Sequence, residues 1–122
     1  MVKGVGVDII EIERIKKVVD TYERFVSRIF TSNEQNYCLS RPKSELHFAV
    51  RFAAKEAAMK ALGTGAKGVR WTDFEVGRKE GGQPFISLSG QALEKAKEKG
   101  IDEILVSLSF NHSQAIATAV AI

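Results

Sequence analysis

From Val2 to Asp8, β-branched residues alternate with glycine, and this period of two predicts a short strand. Ile9, Ile12, Ile15, Val18 and Val19 then recur at helical spacing, so Asp8 is expected where the strand passes into a helix. Thr31 followed three residues later by Glu34 is a capping-box pattern that opens a short helix through Tyr37 and Cys38, and Pro42 separates it from the next element. The stretch from about Lys43 to Leu62 is rich in Ala, Lys, Glu, Leu and Met and lacks Pro and Gly. It predicts the longest helix, stopped by Gly63. Beyond the turn GTGAKG, strands are expected over Trp71 to Arg78, Pro84 to Ser89, Ile104 to Ser109 and Ala115 to Ile122, the first pair joined through Glu80, Gly81 and Gly82. Gly90 to Lys99 reads as a further helix ended by Gly100. A strand, several helices, two strands, a helix and two strands make an α+β domain over residues 1–122, an antiparallel sheet packed on the long helix.

Composition narrows this little. A charged fraction of 27% and a hydrophobic fraction of 44% are ordinary for a globular protein. The apolar N-terminal stretch is interrupted by Asp8 and Glu11, which argues against a signal peptide or a membrane span. Cys38 is the only cysteine, so no internal disulfide can form and a cytoplasmic setting is expected. The net charge of +3 is unevenly spread: Arg41, Lys43, Arg51, Lys55, Lys60, Lys67 and Arg70 face only Glu45 and Glu56 in the middle of the chain. Such an excess suits an anionic ligand or an acidic partner, and equally a solvated helix face.

The candidate chemistry lies in RFAAKEAAMKALGTG, Arg51 to Gly65. Glu56 and Lys60 are four apart and share a helix face, which suits either one site or an ordinary surface ion pair. Gly63, Thr64 and Gly65 offer backbone that phosphate oxygens can approach, although no Walker P-loop is present, because these glycines close a helix instead of opening one. Asp8, a carboxylate among apolar neighbours, needs a partner: it either caps the following helix or joins Glu56 in holding a hard divalent ion.

GVGVDIIEIERI, RIFTSNE, FAAKEAAMKALGTG, WTDFEV, GGQPFISLSG and the closing SLS and AIATAV occur in the order found in the holo-acyl-carrier-protein synthases, and the chain resembles this branch of the 4′-phosphopantetheinyl transferase family over nearly its entire length. The resemblance implies transfer of the phosphopantetheine arm of coenzyme A to a serine of apo-acyl-carrier protein, with adenosine 3′,5′-bisphosphate released and magnesium required. By the same resemblance Asp8 and Glu56 hold the metal, and Lys60 stands at the pyrophosphate. Arg51, Gly63, Thr64 and Gly65 line the coenzyme A site, with Lys43 or Lys67 as further cations for the 3′-phosphate. Arg14, Lys17, Arg24 and Arg28, with Phe25 and Ile29, receive the acidic helix of the carrier protein. A homotrimer with active sites between subunits is implied as well, and Phe74, Phe85, Ile86 and the Ala115 to Ile122 run are apolar enough for its interface or for the core.

One position departs from the family pattern: where a histidine follows Ser-x-Ser, this chain has Phe110, with His112 nearby. Were the chain extended there, residues 110 and 112 would point to the same side and His112 could substitute; in a tight turn it could not. Two rival readings accompany the enzyme: a carrier-binding module without catalysis, of which Phe110 would be the symptom, and a nucleic-acid-binding domain, prompted by the basic middle but lacking interleaved aromatics or any recognised motif.

Overall fold

The computed structural model describes residues 1–122. Strand β1 (Gly4–Glu11) pairs with β5 (Gln114–Ala121), and β5 pairs with β4 (Ile104–Phe110), both antiparallel, in the order β1-β5-β4. A separate hairpin joins β2 (Phe74–Arg78) to β3 (Pro84–Leu88). Helices α1 (Ile12–Thr21), α2 (Glu23–Ile29), α3 (Ser32–Leu39), α4 (Ser44–Leu62) and α5 (Gly90–Glu98) complete the α+β domain. No helix is long and apolar enough to cross a membrane.

The organising contact is between the three-stranded sheet and α4, and small residues make it close. Along β5, Ala115, Ala117, Ala119 and Ala121 are buried, as are Ala53, Ala54, Ala57, Ala58 and Ala61 of α4. On β1 the inward positions are Gly4, Gly6, Asp8 and Ile10. A Cβ at Gly4 would stand 1.9 Å from the Ala61 carbonyl oxygen, and one at Gly6 would stand 2.0 Å from that of Ala57. Glycine is therefore required at both positions to let one backbone lie against the other. Helix α4 divides two apolar clusters. One joins it to β2, β4, β5 and α5 around Met59, Leu62, Phe74 and Ile104; the other joins it to α1, α2 and α3 around Ile15, Phe30, Cys38 and Phe48.

Several expectations change. Strand β1 continues to Glu11, so Ile9 belongs to it and α1 begins only at Ile12, with Glu11 as its N-terminal cap. Asp8 therefore lies inside a strand, paired with Ala117, and does not cap a helix. Trp71–Asp73 form a single 3-10 turn, and β2 starts at Phe74. The Ala115 to Ile122 run divides: its alanines are core, while Ile116, Thr118 and Val120 lie on the outer face. Phe74 is core. The Thr31–Glu34 capping box is present, and Gly63 ends α4 in the left-handed region at φ 84°.

Candidate active site

The alternation of β1 and the turn of α4 bring three predicted residues together. Asp8 points from β1 toward α4, where Glu56 and Lys60 present their side chains one turn apart. The Lys60 ammonium donates to the Val7 carbonyl at 2.9 Å and lies 3.5 Å from Asp8 Oδ1. The Asp8 side chain is only 13% exposed, and its Oδ2 is buried with no donor. Burial is the largest cause that pushes the Glu56 carboxyl up from 4.5 to about 7. Its hydrogen bond to Asp8 and the Asp8 charge add to this, while Lys60 and Arg14 oppose it.

Two carboxyls this close can coexist only if they share a proton or if a cation lies between them. The orphaned Asp8 oxygen and the upward-shifted Glu56 carboxyl are what a small hard cation would relieve, so the pair fits magnesium. No third His, Cys, Asp or Glu joins them. That suits an ion which takes one or two protein carboxylates and fills its remaining positions with water and substrate phosphate oxygens. Of the two alternatives for Glu56 and Lys60, the ordinary surface ion pair gives way to a Lys60 directed at β1 and Asp8.

Just beyond Lys60, α4 ends in the predicted glycine turn. Gly63 donates to the carbonyls of Lys60 and Met59, Gly65 is left-handed at φ 57°, and a Cβ on Gly65 would meet nothing within 4 Å. This backbone is open to a ligand. Thr64 directs its hydroxyl to the Gly65 carbonyl at 2.9 Å.

Arg51 sits elsewhere on α4 and is 2% exposed, yet no carboxylate meets it. Its Nη1 donates to the His47 carbonyl at 3.3 Å, its Nε has no partner, and its guanidinium lies 4.1 Å from the centre of the Tyr37 ring, which Arg41 approaches at 4.2 Å. His47 is shifted down, first by burial and then by Arg51, Arg41 and Arg78. A buried cation with an unused donor among other cations is built to take an anion. Lys43, the only non-glycine residue at positive φ (56°), lines a different hollow of about 420 Å³ with Leu46, Phe110, Asn111 and His112. Lys67 is exposed in the glycine loop. Between Phe110 and β5 the chain makes a tight turn, in which Asn111 Oδ1 accepts from the amides of Ser113 at 2.9 Å and Gln114 at 2.8 Å. His112 therefore does not follow Phe110 along an extended strand, and the substitution considered for it fails, although both residues border the same hollow.

Of the predicted partner residues, Arg24, Phe25, Arg28 and Ile29 come together around a cleft of about 330 Å³, closed by Tyr22 and Trp71. Trp71 stacks on Phe52 at 4.9 Å. Arg14 stands apart on α1, near enough to Glu56 to lower its pKa. Lys17 is exposed on the same helix.

Sequence reasoning missed a buried ion pair beside the site. Lys55 Nζ lies 2.6 Å from Glu34 Oε1, both side chains fully buried, and also donates to the carbonyls of Phe74 at 2.7 Å and Trp71 at 3.2 Å. Glu34 accepts in addition from the amides of Thr31 and Val76, both at 2.8 Å. This hub ties α3 and β2 to α4 one residue before Glu56. The one signal in the sequence was the capping-box glutamate itself, since a carboxylate that caps its own helix has a second oxygen left to pair.

Residues 4–119 match the family model described as the 4′-phosphopantetheinyl transferase superfamily. A holo-[acyl-carrier-protein] synthase of Alkaliphilus metalliredigens is 44% identical over 99% of this chain and 99% of its own. The crystal structure of holo-[acyl-carrier-protein] synthase from Neisseria meningitidis superposes with a TM-score of 0.89 at 34% identity, covering 100% of this chain and 99% of that one. A holo-(acyl-carrier-protein) synthase from Bacillus anthracis in complex with CoA (3′,5′-ADP) gives 0.83 at 35% identity, with 99% and 96% covered.

Proposed function

The chain belongs to the 4′-phosphopantetheinyl transferase superfamily and its enzymatic class is that of the holo-[acyl-carrier-protein] synthases; from that premise we propose a magnesium-assisted transfer centred on Asp8, Glu56 and Lys60. The observation that carries the proposal is the Asp8–Glu56 carboxyl pair beside Lys60, at the mouth of the glycine turn. In the reaction, the serine oxygen of apo-acyl-carrier protein forms a bond to the phosphorus bearing the pantetheine arm of coenzyme A. The bond from that phosphorus to the bridging oxygen breaks, the oxygen leaves with adenosine 3′,5′-bisphosphate, and the serine proton is released.

Displacement at phosphorus asks the protein mainly to position the reactants and to neutralise charge. Magnesium held by Asp8 and Glu56 would supply Lewis-acid stabilisation of the phosphate oxygens. Lys60, kept in place by the Val7 carbonyl, stands beside the carboxylates with its ammonium partly exposed, where it can meet charge growing on the leaving oxygen and give it a proton. Gly63, Thr64 and Gly65 accommodate the pyrophosphate, and Arg51, with its free Nε and neighbouring Arg41, takes a terminal phosphate of coenzyme A. Arg24 and Arg28 flank the apolar cleft holding Phe25 and Ile29, a combination suited to an acidic amphipathic helix of the carrier protein, with Arg14 between that surface and the carboxyl pair.

We propose a homotrimer, implied by the family resemblance, with sites between copies on the outer face of the sheet. Val5, Val7 and Ile9 of β1 are 67%, 52% and 56% exposed, and Leu105 of β4 joins them at 44%. A contiguous apolar sheet face of this kind is characteristic of an interface. The buried thiol of Cys38, pushed up to about 11 by desolvation, is unreactive and suits a reducing cytoplasm.

The test is the intact mass of apo-acyl-carrier protein incubated with this protein and coenzyme A, with magnesium or with a chelator. A metal-dependent gain of one phosphopantetheine is expected. Absence of any gain in a carrier protein that nonetheless binds would overturn the transferase and favour a binding module.

A further inference from the structure

The glycine turn has an electrostatic difficulty as a phosphate site. It follows the C-terminal end of α4, where unpaired carbonyls and the helix dipole concentrate negative potential, the opposite of the helix N-termini that bind anions readily. Something must cancel that end before a pyrophosphate can approach. The amides of Gly63 and Thr64 occupy the carbonyls of Met59 and Lys60, which leaves those of Ala61, turned toward Gly4 of β1, and of Leu62, at the tip. Lys99, just past the end of α5, reaches across the fold and places its ammonium 2.6 Å from that oxygen. It lies so close beneath the turn that a Cβ on Gly63 would stand 2.8 Å from Lys99 Nζ.

Lys99 is itself held. Its amide donates to the carbonyls of Lys95 and Ala96, and the next residue, Gly100, accepts from Lys3 Nζ at 2.6 Å. The strut thus runs from the start of the strand that bears Asp8, through the end of α5, to the last carbonyl of the helix that bears Glu56 and Lys60. Lys95 adds a second ammonium on this side, since a Cβ on Gly68 would meet its Nζ at 3.4 Å.

We propose that Lys99 is a positioning residue for the coenzyme A site: by neutralising the C-terminal end of α4 and fixing the Gly63–Gly65 turn, it makes that turn receptive to pyrophosphate. The inference rests on the coenzyme A reading given above. Lys99 acts through the Leu62 carbonyl and the turn, not as a catalytic group, so its removal should act on coenzyme A affinity and leave the chemical step intact.

The experiment compares Lys99→Met and Lys99→Arg with Lys97→Met, a control that removes the same charge from the exposed face of α5, where Lys97 meets only Glu94 at 3.8 Å. Coenzyme A binding is measured by calorimetry, and KM for each substrate and kcat by carrier modification. Lys99→Met is expected to raise the Kd and KM for coenzyme A about five- to thirtyfold, the range of a partly buried charge at a helix terminus. Its kcat and its KM for the carrier should stay within about twofold of wild type, with Lys99→Arg restoring affinity and Lys97→Met unchanged. Wild-type affinity in Lys99→Met, or an equal loss in Lys97→Met, would overturn the proposal. If Lys99→Met does not fold, Lys99→Gln keeps a donor without the charge and is judged by the same affinities. A wild-type protein that binds no coenzyme A would instead remove the reading on which the inference stands.

Discussion

Gly6→Ala is the smallest change that should separate the two halves of the proposed catalytic pair, Asp8 and Glu56. The new Cβ would lie 2.0 Å from the Ala57 carbonyl oxygen and 2.9 Å from the Lys60 Cβ, whereas ordinary contact begins near 3.4 Å. The obstructing oxygen is backbone inside a nineteen-residue helix, so the helix cannot yield locally and β1 must retreat by about 1.4 Å, the difference between those two distances. Overpacking of this kind costs about 1–3 kcal/mol of unfolding free energy. The same displacement carries Asp8, two residues along the strand, away from Glu56 and Lys60, and a misplacement of roughly 1 Å in a reacting constellation costs about a hundredfold in rate. Urea unfolding and the rate of holo-carrier formation at saturating coenzyme A and magnesium measure the two effects, with Ser87→Ala, exposed on β3, as the control. A Gly6→Ala protein within about 0.5 kcal/mol and twofold of wild type would refute the claim that backbone contact between β1 and α4 sets the site.

Asp8→Asn and Glu56→Gln should each lower turnover by about a hundredfold or more at saturating magnesium while leaving the fold intact, measured by carrier mass shift and circular dichroism. In chelated protein, a Glu56 carboxyl raised to about 7 from 4.5 binds its proton more tightly folded than unfolded. Its contribution to stability is therefore complete below pH 4.5 and lost as pH rises through about 7, and Glu56→Gln should flatten that part of the melting-temperature profile; an unchanged profile contradicts the shared proton. Lys55→Met strands the Glu34 carboxylate in the interior and should cost about 3–5 kcal/mol in urea unfolding, with Glu34→Gln in the same chain recovering a part. Val7→Lys, placed on the outer sheet face, should give single chains by light scattering and reduced transfer; an oligomer that survives this change would contradict the proposed interface.

The order of elements, the capping box at Thr31 and the glycine stop of α4 were legible because each depends on local rules of spacing and termination. Glu56 and Lys60 were legible for the same reason. The end of β1 was not: Ile9, Ile10 and Ile12 satisfy a helical period and an extended run equally well, and pairing with β5, more than a hundred residues away, decides for the strand. The basic middle of the chain concealed the opposite of a solvated face at two positions. Arg51 and Lys55 are both buried, the first facing other cations and the second compensated by Glu34 from the preceding helix, and no sequence period encodes such a partner. The fate of His112 turned on Asn111, whose side chain closes the β4–β5 turn.

Strand β1 leaves almost no room for drift. Its even-numbered residues Gly4, Gly6, Asp8 and Ile10 face the helix and the proposed site, and its odd-numbered residues Val5, Val7 and Ile9 face outward. A deletion of one residue within it would exchange the two sets, turning valines into a seam that admits no Cβ and the carboxylate into the apolar surface. Insertions and deletions should therefore be purged from this strand during evolution even where the domain could absorb their folding cost. Surviving variation should be limited to exchanges of similar size among the outward-facing side chains.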